Sequence, residues 1–591
     1  MLPALLLALI LGAGGILYLV VFIWKGWKAE NLVAEFRRWR CLRTVSKQKH
    51  RQVLERDTMD AQGAQEMLLL QILQELRGTE YGKERRFNHI TDASSFRSRH
   101  PLTGNHHYKD YIQRMAQGEE NVLVPSGPFT LVPTAGTSGS PALVPVRAGS
   151  VTAYQQQGAA VCLEVLQNSF PGALEKAMKF SIPSNPDKAE AGNEFRPCSS
   201  TSSFMNDLYC FSLPSHPTMS HHNAMYTQLL FALKNPALRV LESSFSWVLR
   251  EVFCLMEARW ESLVTDIALG YLDTGLEIPR EVREQIERRL EPDASRADEL
   301  RGHFEKGFEG IAKRIWPSLQ VIMAVGSGSS ELDSQILKDT VCRGVPLHSP
   351  MYCAAEGLIG VNLWPERSTP LYVLCPRSAF FEFIPTAACN EDQPGTVCLQ
   401  DVRAGEAYEL VLTNRDGLCR YRIGDVVRAT GFHNQSPILE FLYRRSQTLS
   451  VRGESVSEDQ FYHTLLHAVR SWPGAALQNY CCSESGILGP FSGGSVPHYE
   501  VFVALKGVRD LTEEQRYKLD QALQDRFPIY KSYRLRGSIG PLHLHLVGNQ
   551  AFVTLLALAS SRSGSPPDKI PPPRTLRVRA LAESIRKQVL S

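Results

Sequence analysis

No Cys-x-x-Cys pair occurs among the 13 cysteines of this 591-residue chain, and Cys481 and Cys482 are adjacent. Neither zinc-ribbon spacing nor a disulfide framework is visible, so reducing surroundings are expected for most of the chain, with a few bridges among thirteen cysteines as the alternative. A dominant charge is missing too: 64 Lys plus Arg against 61 Asp plus Glu leave a net +3. Nothing in that balance suggests a concentrated basic face, so no nucleic-acid partner is expected. No internal repeat is evident. The one glycosylation sequon, Asn434-Gln435-Ser436, is followed by Pro437, which makes it a poor acceptor.

The most informative gap lies at the start of the chain, where no charged side chain occurs from Met1 to Trp24. About 20 apolar residues suffice to span a bilayer. The small residues Gly12 to Gly15 offer a cleavage region for a signal peptide, but the apolar run continues from Leu17 to Ile23. Its length favours a retained anchor over cleavage. Trp24 and Trp27 sit where an aromatic belt would lie, and Lys25, Lys28, Arg37, Arg38, Arg40 and Arg43 follow. The expectation is an anchor in the endoplasmic reticulum membrane, continuous with the nuclear envelope, with the body in the cytosol. Cleavage would instead leave the body lumenal or secreted.

A chain of 591 residues is too long for one core, so several domains are expected. Residues 28–78 read as helical, with residues 25–64 a basic linker and the large domain running from 65 to 445. Within it, 225–320 reads as mainly helical. Apolar runs at 320–325, 371–375, 380–385, 408–413 and 439–443 read as strands. Helices alternating with buried strands imply an α/β architecture. From 446 to 591 a smaller α+β unit is expected: a strand at Thr448–Val451, a helix from Ser457 to about Arg470 and a strand over Tyr499–Leu505. His543 and His545 alternate with leucines and read as strand-surface residues rather than metal ligands, and Ser565–Pro573 reads as a loop.

Three segments carry candidate chemistry. Thr134-Ala-Gly-Thr-Ser-Gly-Ser-Pro141 follows an apolar run and supplies glycines and hydroxyls suited to a phosphate chain, although such loops are often mere connectors. Met351-Tyr-Cys-Ala-Ala-Glu-Gly357 places Glu356 among small and apolar residues, where a carboxylate needs a partner or a cation such as Mg2+. Leu418-Cys-Arg-Tyr-Arg-Ile-Gly-Asp425 reads as a strand ending in a Gly-Asp turn, with Asp425 able to accept from a ribose diol and Arg422 able to face a phosphate.

Taken in order, these segments resemble the adenylate-forming superfamily, and more closely its Gretchen Hagen branch, the acyl-acid amido synthetases. Gly78–Gly82, Tyr111–Arg114, Phe381–Pro385 and Ser538–Pro541 resemble further landmarks of that family. The resemblance implies a large domain of β-sheets flanked by helices and a small mobile domain. It implies ATP and Mg2+ as cofactors, a carboxylic acid as substrate and an amine or amino acid as acceptor. It implies that Thr137 and Ser138 contact the phosphates, that Tyr352 lies against the nucleotide, that Asp425 binds the ribose and that Glu356 helps hold the metal. Arg445 would mark the hinge, Arg422 would face a phosphate, and Lys569 would be carried by the small domain to the reacting centre.

The sequence also departs from the pattern. Ala354-Ala355 stands where the family has Ser-Ser, Ala135 replaces a serine of the loop, and Ala142 replaces a lysine. Two readings therefore stand beside each other: a ligase that makes an acyl-adenylate, and a membrane-anchored pseudoenzyme that binds nucleotide or an acyl ligand. An anchored scaffold using the Arg-rich helix 34–55 is a third.

Overall fold

The computed structural model describes residues 38–134, 142–181, 208–211, 219–488 and 496–591. The apolar segment 1–24 lies outside them, as do Ala135, Thr137 and Ser138. Among the described residues, no helix is long and apolar enough to cross a membrane.

Eighteen described strands follow the chain in order: β1 Phe129–Pro133, β2 Leu143–Arg147, β3 Ala177–Phe180, β4 Val240–Phe245, β5 Val321–Val325, β6 Leu347–His348, β7 Met351–Ala354, β8 Gly357–Val361, β9 Tyr372–Leu374, β10 Phe380–Pro385, β11 Val397–Cys398, β12 Ala407–Thr413, β13 Tyr421–His433, β14 Ser436–Arg444, β15 Ala476–Glu484, β16 Tyr499–Lys506, β17 His543–Leu546 and β18 Thr575–Leu576. They form a β1–β2 ribbon, a parallel sheet β3-β4-β5-β6, an antiparallel sheet β11-β10-β12-β13-β14-β9-β8-β7 and a C-terminal sheet β17-β16-β15-β18. The α/β expectation is met, with a large N-terminal part and a smaller C-terminal one.

The helix Ala61–Leu76 illustrates how sequence sets local structure. Asp60 caps it by accepting from the Gly63 amide at 3.1 Å. Leu68, Leu69, Ile72, Leu73 and Leu76 recur at helical spacing and are buried. Burying each contributes about 1.5–3 kcal/mol. Gln65 then ties this helix to the sheet: Nε2 donates to the Ala379 carbonyl at 2.7 Å, and Oε1 accepts from the Phe381 amide at 2.7 Å.

Within the segment expected to be a linker, the helix Lys49–Met59 docks on the large domain. It has no local cap. Buried Glu164 supplies one, accepting from the amides of His50 at 3.2 Å and Arg51 at 2.7 Å.

Two local expectations differ from the structure, and a third is met with an addition. The stretch 225–320 is mainly helical as expected, but it also contains β4. Its sequence Val-Leu-Glu-Ser-Ser-Phe turns polar at the end that faces a cavity, which hides the strand pattern. Thr448–Val451 forms only the bridge Leu449–Val456, because Glu454 takes the amides of Val451 and Arg452 at 2.8 Å each. Gly424-Asp425 does not end a strand; it is a bulge inside β13, with Gly424 at φ 78° and the ladder to β12 shifting register between Glu409 and Val411.

In the C-terminal part, Ser457 and Gln460 form a capping box that starts the helix Glu458–Arg470 as expected. The sheet is sandwiched: Tyr499, Val501 and Val503 pack on one face, Phe502 and Ala504 on the other. Ser565–Pro573 is a loop with a single short turn at Pro567–Lys569.

Candidate active site

A cavity of about 400 Å³ opens where the parallel sheet, the antiparallel sheet and the small domain meet. Its volume falls within the range of small-molecule pockets, about 300–1,000 Å³. Parallel strands present ligands at their carboxyl ends. The ends of β4 (Glu242, Ser243, Ser244) and β5 (Val325, then Ser327 to Ser330) accordingly line this space.

The base of the Gly/Ser loop is at the rim. Thr134 and Ala142 both line the cavity, the Thr134 amide donating to the Ala142 carbonyl at 2.7 Å and the Ala142 amide to Thr134 Oγ1 at 3.0 Å. Thr137 and Ser138 themselves lie outside the described residues.

Asp425 is the electrostatic centre of one wall. The register of β13 and β14 sets it directly opposite Arg444. Arg444 Nε donates to Oδ1 at 2.5 Å and Nη2 to Oδ2 at 3.2 Å, while Tyr352 Oη donates to Oδ2 at 2.8 Å. Burial, reinforced by Asp425, pushes the Tyr352 phenol well above its ordinary pKa, so it stays a donor. Tyr352 reaches this position from β7, edge to face with Phe441 of β14. Arg444 is the residue that sequence reasoning missed; the only signal was its place in the doublet Arg444-Arg445.

Glu356 sits in the turn between β7 and β8, its backbone carbonyl held by Asn414 at 2.8 Å. Burial raises its pKa, Asp425 adds to the rise, and Arg444 opposes it. A carboxyl held in that balance gains by meeting a cation. Ala354 and Ala355 line the cavity beside it.

Arg422 and Arg445 both turn to one buried carboxylate. Arg422 donates to Glu409 at 3.0 and 2.6 Å and to the Cys389 carbonyl at 2.6 Å; Arg445 Nη1 donates to Glu409 Oε2 at 3.0 Å. Arg422 still borders the cavity, but its guanidinium is committed to Glu409 and the neighbouring carbonyls. Arg445 begins the segment that leaves β14 for the small domain.

Lys569 enters the cavity from the small domain, with Asp568 Oδ2 at 3.7 Å from its ammonium. Trp247 Nε1 donates to the Ile570 carbonyl at 3.2 Å and fixes this turn against the large domain.

Three further hydroxyls were not visible in the sequence. The buried Oγ atoms of Ser244, Ser330 and Ser446 all belong to cavity-lining residues and have no hydrogen-bond partner among the described residues. Buried hydroxyls cost free energy unless satisfied, so such a set suits a polar, oxygen-rich ligand.

Three family domains match along the chain: the GH3 family N-terminal domain over residues 50–347, the central domain over 372–444 and the C-terminal domain over 460–579. The chain belongs to the GH3 family. A human GH3 domain-containing protein is 43% identical over 366 residues, spanning 61% of this chain and 65% of that protein. The rice indole-3-acetic acid-amido synthetase GH3.8 is 28% identical over 567 residues, covering 90% of this chain and 91% of its own. The solved GH3.15 acyl acid amido synthetase superposes with a TM-score of 0.77 at 25% identity, covering 91% of this chain and 96% of that one. This GH3 chain therefore has the amido synthetase fold, large domain and small, and the rice relative is named as an amido synthetase.

Proposed function

We propose that this GH3 protein is an ATP-dependent ligase that activates a carboxylic acid as its acyl-adenylate and passes the acyl group to an amine or amino acid. What carries the reading is convergence: Tyr352, Glu356, Asp425, Arg444 and Lys569, up to 217 residues apart in sequence, border one cavity. The three serine hydroxyls, without partners among the described residues, and the Asp425 carboxylate suit a nucleotide's phosphate and ribose oxygens.

In this reading a substrate carboxylate oxygen attacks the α-phosphorus, the bond to the bridging oxygen breaks, and pyrophosphate leaves. The amine then attacks the acyl carbon and AMP departs. Asp425, held by Arg444 and Tyr352, is preorganised to accept from the ribose hydroxyls. The Lys569 ammonium stabilises charge that builds at the α-phosphate. Glu356 would hold Mg2+, which when bound supplies charge neutralisation for the triphosphate. Movement of the small domain about Arg445 would withdraw Lys569 and open the way for the amine.

A second reading keeps the nucleotide or acyl ligand but not turnover. Ala142 and Ala355 favour it, since each lines the cavity where the family resemblance implies a cation or a hydroxyl. Removing one preorganised donor costs about 2.7–4 kcal/mol of barrier.

Thermal shift with millimolar Mg·ATP tests both. Ligand at about 100 times its Kd stabilises the fold by roughly 2.7 kcal/mol. The expected shift disappears in Asp425→Ala, and ATP–pyrophosphate exchange with a panel of carboxylic acids then separates the two readings. No shift in the wild-type chain would overturn the ligase reading and leave the second reading only its acyl ligand. We also propose the membrane anchor at residues 1–24, with a cytosolic body on the endoplasmic reticulum; the free cysteines among the described residues support that placement. Protection of the body from added protease in sealed microsomes would overturn it.

A further inference from the structure

The small domain carries a second polar cluster, on the face of its sheet opposite the helix Glu458–Arg470. The parallel register of β16 and β17 pairs Glu500 with His543 and Phe502 with His545, so all four side chains share one face. His498, two residues before Glu500, completes the group. His498 and Glu500 are buried, whereas the His543 side chain is about half exposed (51%).

One contact in this cluster needs a positive species. His498 Nδ1 lies 2.9 Å from the Val496 carbonyl oxygen, which can only accept, so Nδ1 carries the proton. In neutral imidazole Nε2 is then a bare lone pair. Yet it faces the Glu500 Oε1 carboxylate oxygen at 3.1 Å. Two lone pairs at that distance repel unless a proton or a metal ion lies at their junction.

A third potential ligand points to the metal ion. His543 Nδ1 approaches the same Oε1 at 3.7 Å, and the His498 and His543 ring centroids are 4.0 Å apart. The three ligand atoms all lie within 4.8 Å of one another. A tetrahedral ion with ligand bonds of about 2.0–2.1 Å sets its ligand atoms about 3.4 Å apart. The 3.1 and 3.7 Å separations bracket that edge. His545 Nε2 takes the other oxygen, Oε2, at 2.5 Å and so turns Oε1 toward the two imidazoles. The Val496 carbonyl and His545 thus act as the orienting partners that such ligands normally have.

We propose that His498 Nε2, Glu500 Oε1 and His543 Nδ1 bind a borderline-soft divalent ion of the zinc class, with a fourth position open to solvent beside His543. Mixed imidazole and carboxylate donors select zinc, cobalt, nickel or copper over magnesium or calcium. The ion cross-links β16 to the edge strand β17, and so stiffens the domain that carries Lys569. It is separate from the Mg2+ proposed at Glu356.

The test uses the full chain stripped with a chelator and re-equilibrated with zinc chloride, with bound metal counted by mass spectrometry. One zinc per chain is expected, with a rise in Tm, and both should vanish in His543→Ala, whose partial exposure spares the core. Glu500→Gln should lose the ion as well. His463→Ala, at a separate cluster with Glu331 and Asp459, should keep it. Cobalt(II) should give the intense visible bands of a four-coordinate site. Zinc retained by His543→Ala would overturn the proposal. So would a wild-type chain whose Tm responds to pH but not to zinc, which would make a proton the occupant.

Discussion

Arg574 and Asp333 pair across the boundary between the large and small domains, Nη2 donating to Oδ2 at 3.0 Å with side chains only 1% and 3% exposed. Arg574 also donates to the Ser329 carbonyl at 2.9 Å and to the Tyr480 carbonyl at 3.0 Å, and lies over the Tyr480 ring. The same Ser329 loop lines the cavity, and Lys569 precedes Arg574 by five residues. This guanidinium therefore locks the arrangement in which Lys569 faces the site.

Removing one partner of a buried ion pair costs about 3–5 kcal/mol, because the other charge stays desolvated. Arg574→Met should lower stability by the lower part of that range, since Arg250 still holds Asp333 at 2.7 Å. Urea denaturation reads this directly. A loss no larger than that of Arg577→Met, which breaks a more exposed pair with Glu484, would contradict the locking role.

Lys569→Ala should slow ATP–pyrophosphate exchange by about 10²–10³-fold while leaving ATP affinity close to wild type, since its charge acts mainly on the developing transition state. Titration calorimetry and exchange, measured on the same preparation, separate the two. An equal loss in both would assign Lys569 to ground-state binding.

Ala142→Lys restores a cation at the cavity rim. Its side chain grows from the position that closes the Thr134 loop. Tighter Mg·ATP binding by about tenfold, near 1.4 kcal/mol, is expected. An unchanged affinity would show that backbone groups already compensate for the missing lysine.

Tyr352→Phe removes a donor to buried Asp425 and should cost about 1–3 kcal/mol of stability. Differential scanning calorimetry measures it, with Tyr533→Phe, whose ring is only partly buried, as the comparison.

Glu458 provides a pH-dependent term at the small domain's core. Burial pushes its pKa from 4.5 up to about 7, with Tyr480 Oη donating to it at 2.7 Å. Folding favours the neutral acid, so its contribution is complete below about 4.5 and is lost as pH rises through about 7. The wild-type chain should lose on the order of 1–3 kcal/mol between pH 5 and pH 8 from this group. Glu458→Gln keeps the Tyr480 contact and should flatten that part of the profile. A wild-type profile matched by the variant would refute the assignment.

Several pieces of the site were legible in one dimension. Gly424 and Asp425 announced themselves through a short motif, as did Tyr352 and Glu356, because backbone conformation and turn chemistry are local properties. The meaning of Arg422 was less legible. Its charge suggested a phosphate, but the bulge at Gly424 and the register with β12 send it to Glu409 instead. Arg444 was invisible for the converse reason: its importance comes from lying opposite Asp425 on the next strand, and cross-strand register depends on bulges that no periodicity reveals.

The sequence alone determined the helices with apolar stripes and caps, the α/β class, the two-part division and the family, since each rests on local pattern or short motifs. Only the tertiary structure decided which side chains share a space. It brought Ser244, Ser330 and Ser446 to one cavity, and set His498 and His543, 45 residues apart, against one carboxylate oxygen. Side chains distant in sequence meet through strand pairing and domain docking, and those are set by burial of whole faces rather than by any neighbouring residue.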